Sequence, residues 1–184
     1  SDLSTALRDA EAINLLLSFY KSLDIKGLKL HLNSVGDPEC RKAYRDAFLA
    51  YLAPYKDQLS EYSKERIDKN PLRILDSKEK EDRELVKNAP SILDYLKPES
   101  KQHFSDLCQM LDDSGIEYEI NPGLVRGLDY YTRTVFEVVA GDLGAQNTIG
   151  GGGRYDGLIK RLNGPDTCAV GFGTGIEQIG RAHV

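Results

Sequence analysis

Residues able to bind a transition metal or cross-link the fold are scarce in this chain. The three cysteines, Cys40, Cys108 and Cys168, are widely separated and odd in number. That pattern fits neither a disulfide framework nor a zinc cluster and leaves reduced, structural thiols. His31, His103 and His183 are equally scattered, none at the spacing of a metalloprotease helix, so no metal site is expected. No apolar run approaches the roughly 20 residues that span a bilayer. The first residues lack a basic segment followed by an apolar one, so the start is either mature or artificial. The chain therefore reads as soluble, intracellular and cytoplasmic. A positive excess is also missing: the net charge of −5 excludes a grip on nucleic acid through the overall field. Neither a Ser/His/Asp nor a Cys/His constellation is legible, which leaves hydrolase mechanisms unsupported.

What remains is an ordinary globular composition, 40% hydrophobic and 29% charged over 184 residues, enough for one or two domains. Charge is uneven: residues 1–120 carry 18 basic and 23 acidic side chains, residues 121–184 six of each. An RNA partner would be met by a local patch or by a part of the protein outside this chain.

Leu7, Ala10, Ile13, Leu16, Leu17, Tyr20 and Leu23 recur at helical spacing and predict an amphipathic helix ending near Gly27. Leu28, Leu30 and Leu32 alternate with Lys29, His31 and Asn33, a strand with one wet face on which His31 is solvated. Gly36-Asp37-Pro38 supplies a turn, an N-cap and a first-turn proline. Beyond it Ala43, Tyr44, Ala47, Phe48, Tyr51, Leu52 and Tyr55 form a stripe suited to packing, with base stacking as the alternative. The charged stretch Asp76 to Lys87 predicts short exposed helices between proline breaks, and a further helix closes at Gly115. From Ile116 the period becomes alternating. Strands are predicted at 116–120, 132–140 and 146–149, and a last one at Ala169-Val170-Gly171-Phe172 feeds a helix near Gly175. The fold class is α+β, with helices leading into an antiparallel sheet.

Thirteen of the 17 glycines fall between residues 123 and 175, around Leu124-Val125-Arg126-Gly127-Leu128-Asp129-Tyr130-Tyr131 and Gly150-Gly151-Gly152-Gly153-Arg154-Tyr155-Asp156. Arg126 either reaches a phosphate or carboxylate in two-point fashion or pairs with Asp129 or Glu137. Tyr130 and Tyr131 face opposite ways if extended, so at most one lines a given pocket. The glycine run meets neither the P-loop nor the dinucleotide template, and fits a strand-to-helix bend as well as ligand contact. The residues alone indicate a glycine-lined pocket with one buried arginine and several tyrosines, suited to a small polar or phosphorylated ligand.

Those two strings resemble the histidine-specific arginine motif and the Gly-Gly-Arg-Tyr-Asp-Gly-Leu motif of the class II histidyl-tRNA synthetases, and Ala169 to Glu177 is similar to class II motif 3. Asn33-Ser34-Val35-Gly36-Asp37, Cys40-Arg41, Tyr44-Arg45, Asn70 to Asp76 and Asn88-Ala89-Pro90 look like the insertion domain of bacterial-type members. The resemblance implies a class II antiparallel sheet with helices and a mostly helical insertion. Residues 1–33 and 116–184 would be catalytic core and residues 34–115 the insertion. It implies a histidine–tRNA ligase using histidine, tRNA and ATP with Mg as substrate complex, without a tightly bound cofactor and homodimeric when complete. Arg126 would neutralise the α-phosphate; Tyr130, Tyr131, Gly152 and Tyr155 would form the histidine pocket; Gly173 and Gly175 would floor the ATP site. Gln178 stands where the family carries arginine. Motifs 1 and 2 would precede residue 1, an anticodon-binding domain would follow residue 184, and the polar Gly180 to Val184 reads as a cloning remnant. The alternative is a noncatalytic paralogue such as the ATP phosphoribosyltransferase regulatory subunit.

Overall fold

The computed structural model describes residues 5–125, 130–141 and 148–182. Helix α1 (Ala6–Ser22) buries Ala10, Ile13, Leu16, Leu17 and Tyr20 of the stripe expected from the spacing, whereas Leu7 is exposed. A reversal at Gly27, with φ of +66°, returns the chain into strand β1 (Leu28–Gly36). Helix α2 (Pro38–Leu52) starts where the Asp37 carboxylate accepts from the Cys40 N–H at 2.8 Å, with Pro38 in the first turn. Tight 3-10 turns alternate with α3 (Glu61–Lys64) and α4 (Lys80–Val86) before the longer α5 (Pro98–Asp113). Then come β2 (Glu119–Ile120), β3 (Thr132–Ala140), β4 (Thr148–Arg154), α6 (Leu158–Arg161), β5 (Val170–Thr174) and α7 (Ile176–Ala182). Among the described residues no helix is long and apolar enough to cross a membrane.

The strands form one five-stranded sheet in the order β2-β1-β3-β4-β5. Three of its pairings are antiparallel, but β1 and β2 run parallel, because the connection between them is a long helical crossover rather than a hairpin. The pairing sets Glu119 beside His31. His31 is therefore partly covered, its side chain 21% exposed, and not the solvated residue its alternation suggests.

The core lies on both faces of the sheet. On one face, α1 and α5 pack Ile13, Leu16, Tyr20, Leu107 and Leu111 over Leu30, Leu32, Phe136 and Val138. On the other, Tyr44, Phe48 and Leu52 of α2 join Ile74, Ile92, Val35 and Val135. Tyr44 and Phe48 are essentially inaccessible, so that stripe is packing and not a stacking platform. This second layer also explains why β1 alternates only at its start: from Leu32 onward every residue is buried. Helix α5, inside the stretch expected as insertion, lies beside α1 on the sheet.

The charged stretch before Lys87 hides an exception to its solvated reading. Asp82 is fully buried and accepts from the hydroxyls of Ser60, Ser63 and Ser77, each at 2.6 Å, and from the Ser60 N–H at 2.9 Å. Burial pushes its carboxyl up, but these donors outweigh it and hold the group below the usual range.

Candidate functional site

Strand β4 carries the glycine run as regular strand, Gly150 to Gly153 pairing with Thr174 to Gly171 of β5. It is neither a bend nor a phosphate loop. Its missing side chains make room for tyrosines: a Cβ on Gly153 would lie 2.8 Å from the Tyr131 ring and collide with the Thr134 carbonyl, and one on Gly171 would lie 2.6 Å from the Tyr155 hydroxyl. On the opposite face a Cβ on Gly150 would strike the hydroxyl of Tyr20, which bonds to the Thr174 hydroxyl at 2.7 Å.

The result is a cleft of about 670 Å³ over β4 and β5, floored by Gly150, Gly151, Gly171, Gly173 and Gly175 and walled by Tyr130, Tyr131 and Tyr155. The three rings converge: Tyr130 and Tyr131 lie 4.7 Å apart between centroids, and Tyr155 stands edge-on to them at 5.8 and 6.4 Å. Tyr130 and Tyr131 thus line one cleft, against the expectation that they diverge. That expectation assumed extended backbone, whereas β3 begins only at Thr132. Gly152 is outside the lining; a Cβ there would collide with the Gly171 carbonyl, so its bareness serves the approach of β5. Gly173 has open space where a side chain would be. Among the described lining residues none is charged. Arg126 and Asp129 lie outside the described residues, as does the Gln178 side chain.

The buried arginine that the structure does describe is Arg154, between the glycine run and Tyr155, with no exposure at all. Its Nη2 and Nε donate to Asp9 of α1 at 2.7 and 3.0 Å, its Nη1 to Asp156 at 2.9 Å, and its Nη2 to the Thr5 carbonyl at 3.1 Å. Asp9 also accepts from the Thr134 hydroxyl at 2.5 Å and lies 2.7 Å from His103 Nε2. Burial raises the Asp9 carboxyl, but His103, Arg154 and Thr134 together hold it below the usual range. Burial likewise opposes the charge on Arg154, and Asp9 outweighs it. Asp156 in turn accepts from the Ala169 N–H at 3.1 Å, and the Tyr155 N–H donates to the Ala169 carbonyl at 2.8 Å. Tyr155 is therefore held from both sides by anchored neighbours. Asp9 was legible only as a carboxylate on the buried register of α1, four residues before Ile13.

A tyrosine-walled cleft over a bare backbone, without a charged side chain among its described lining, suits a small, flat, polar ligand and offers no described cation to a polyphosphate. The family profile described as Histidyl-tRNA synthetase matches residues 3–179. A histidine–tRNA ligase of Protochlamydia amoebophila is 54% identical over 176 residues, which are 96% of this chain and 42% of that protein. The crystal structure of apo S. aureus histidyl-tRNA synthetase matches with a TM-score of 0.74 at 37% identity, over 97% of this chain and 44% of that one. A Bacillus halodurans protein described as an ATP phosphoribosyltransferase regulatory subunit/histidyl-tRNA synthetase matches at 0.63 and 21% identity, over 98% of this chain and 51% of that one, a likeness of fold alone. The chain spans less than half the length of the curated relatives it matches, 42% and 40% of the first two. With the profile running through both glycine-rich strings and the same fold present in the S. aureus protein, the chain belongs to the histidyl-tRNA synthetase family.

Proposed function

We propose that this chain forms the histidine-binding wall of a histidine–tRNA ligase, together with part of its ATP floor. The observation that carries the reading is the convergence of Tyr130, Tyr131 and Tyr155 over a glycine floor without a charged group among the described lining. Such a site takes a neutral imidazole by its ring and hydrogen-bonding edge, and rejects analogues that would leave its hydroxyls unpaired. Gly173 and Gly175 leave backbone open for a nucleotide. In the reaction, a histidine carboxylate oxygen bonds to the α-phosphorus of ATP and pyrophosphate departs. A tRNA hydroxyl then takes the histidyl group, releasing AMP. ATP arrives as its Mg complex. Charge grows on the phosphoryl oxygens, where a fixed guanidinium helps most, and Arg126 is the candidate for it. The complete protein would be a homodimer acting on tRNA in the cytoplasm. Gln178, at the motif 3 arginine position, favours a second reading, the noncatalytic paralogue.

Histidine-dependent exchange of pyrophosphate into ATP by the complete protein separates the two. Ligase function gives exchange that falls roughly 100-fold in Arg126→Ala, as for loss of one transition-state donor. Exchange absent from the wild type, or undiminished in Arg126→Ala, rules the assignment out.

A further inference from the structure

Of the three rings that wall the cleft, Tyr155 is the one that follows a strand. The β4 ladder ends at Arg154, which pairs with Thr132 on one side and Val170 on the other, so Tyr155 stands where the sheet ceases to fix the chain. The strand beneath the ring is bare: a Cβ on Gly171 would lie 2.6 Å from the Tyr155 hydroxyl. Tyr130 and Tyr131 meet the ring only edge-on. Its direction therefore depends on how its own backbone is held.

Side chains take over where the ladder stops. Arg154 Nη1 donates to Asp156 Oδ1 at 2.9 Å, so the residues before and after Tyr155 are clamped to each other. The same Oδ1 accepts from the Ala169 N–H at 3.1 Å, and the Asp156 N–H donates to the Thr132 hydroxyl at 3.3 Å. The clamp is thus tied to the start of β3 and to the chain entering β5. Its other end is fixed as well, because Arg154 Nε and Nη2 hold Asp9, which Thr134 and His103 hold in turn. The Arg154 side chain has no exposure and that of Asp156 is 27% exposed, so the clamp runs from the dry interior to the partly wet surface beside Tyr155. Stability alone does not require a charge here, since well-packed apolar residues often replace a buried ion pair without loss. What the guanidinium adds is direction: a rigid fork with both branches engaged fixes two carboxylates at once, as a lysine cannot.

We propose that Arg154 and Asp156 are positioning residues for histidine recognition: their ion pair, closed around Tyr155, fixes where the Tyr155 hydroxyl lies over β5. Neither residue lines the cleft, and both act through that ring. The inference rests on the reading of the cleft as a histidine site. It gives the two charged residues of the Gly-Gly-Arg-Tyr-Asp string one task, and it ties the ring to α1 and α5 on the far face of the sheet through Asp9 and His103.

The test is calorimetric binding of histidine, and separately of ATP, to the complete protein carrying this segment, with thermal melting as a folding control. Asp156→Ala should weaken histidine binding by about 10-fold, the scale of one hydrogen bond to the ligand. Its ATP affinity should change by less than about 2-fold, since the Tyr155 hydroxyl does not serve the nucleotide. Asp156→Asn keeps an oxygen for Arg154 and the Ala169 N–H, and should recover most of the histidine affinity. In a Tyr155→Phe background Asp156→Ala should cost no more than about 2-fold, because the group it places is gone. Arg154→Lys leaves a charge for Asp9 without the fork and should show the same loss toward histidine alone. If one of Asp156→Ala and Arg154→Lys does not fold, the other decides; if neither folds, the clamp serves the fold and the proposal falls. Histidine affinity in Asp156→Ala within about 2-fold of wild type overturns it, as does an equal loss toward ATP, a loss that Asp156→Asn fails to relieve, or one that persists in full in Tyr155→Phe. Wild-type binding of histidine beside an indifferent Asp156→Ala sinks the positioning role alone, whereas a wild type that binds no histidine sinks the reading of the cleft with it.

Discussion

Replacing Arg154 by methionine keeps much of the side-chain volume and removes the donor contacts to Asp9, Asp156 and the Thr5 carbonyl from a site without solvent. Asp9, itself fully buried, is left with Thr134 and His103. Removing one partner of a buried ion pair costs about 3–5 kcal/mol, because the other charge stays dry and uncompensated. For a chain of this size each kcal/mol moves the melting temperature by about 2–4 °C, giving a drop of roughly 6–20 °C. Thermal unfolding followed by circular dichroism or calorimetry measures it. The pH dependence supplies a second readout. Asp9 is held below its ordinary range in the fold, so its contribution is present above the unfolded carboxyl pKa and is lost as pH falls through the folded one. That places the loss below about pH 4. In Arg154→Met burial gains the upper hand, the Asp9 carboxyl rises, and the proton is taken up at higher pH. The mutant's deficit should therefore shrink on mild acidification, as the stranded carboxylate neutralises. A melting temperature within about 3 °C of wild type at neutral pH, or a deficit indifferent to pH, would refute the reasoning.

Gly153→Ala places a methyl against the Thr134 carbonyl and 2.8 Å from the Tyr131 ring. It should cost about 1–3 kcal/mol in thermal unfolding and weaken histidine binding by calorimetry, through displacement of the ring. Asp82→Leu strands the Ser60 N–H and three hydroxyls, a loss of at least roughly 2 kcal/mol by urea unfolding. Because the Asp82 carboxyl is lowered in the fold, that stabilisation is fully present at neutral pH and fades only as acid protonates the native group.

The sequence is informative where periodicity and burial coincide. The stripes of α1 and α2 and the limits of β3 follow from spacing because one continuous face of each element meets the core. Tyr131 and Tyr155 came from the resemblance, and the cleft brings them together. Buried polar groups were harder to read, since their partners are remote in the chain. Asp82 in its charged surroundings looks like any solvated carboxylate until the three serines are seen around it. Arg154, adjacent to glycines and Tyr155, drew no separate reading from the sequence, because its partner Asp9 lies 145 residues away. That Tyr130 and Tyr131 share one cleft was not legible from alternation, which holds only from Thr132, where the strand begins.

The Asp9–Arg154 bond also has a temporal side. Its partners are 145 residues apart, and at the roughly 5–20 residues per second of synthesis, Asp9 emerges about 7–30 s before the arginine that neutralises it. The strand next to β1 on its antiparallel side, β3, is also made late. Throughout that interval α1 and β1 lack β3 and β4, while the residues of α2 through the turn at Ile92 already possess most of their own apolar partners. The buried carboxylate of Asp9 thus waits for its counter-charge until the chain has been made through β4, whereas the layer around α2 can begin to close on itself before then.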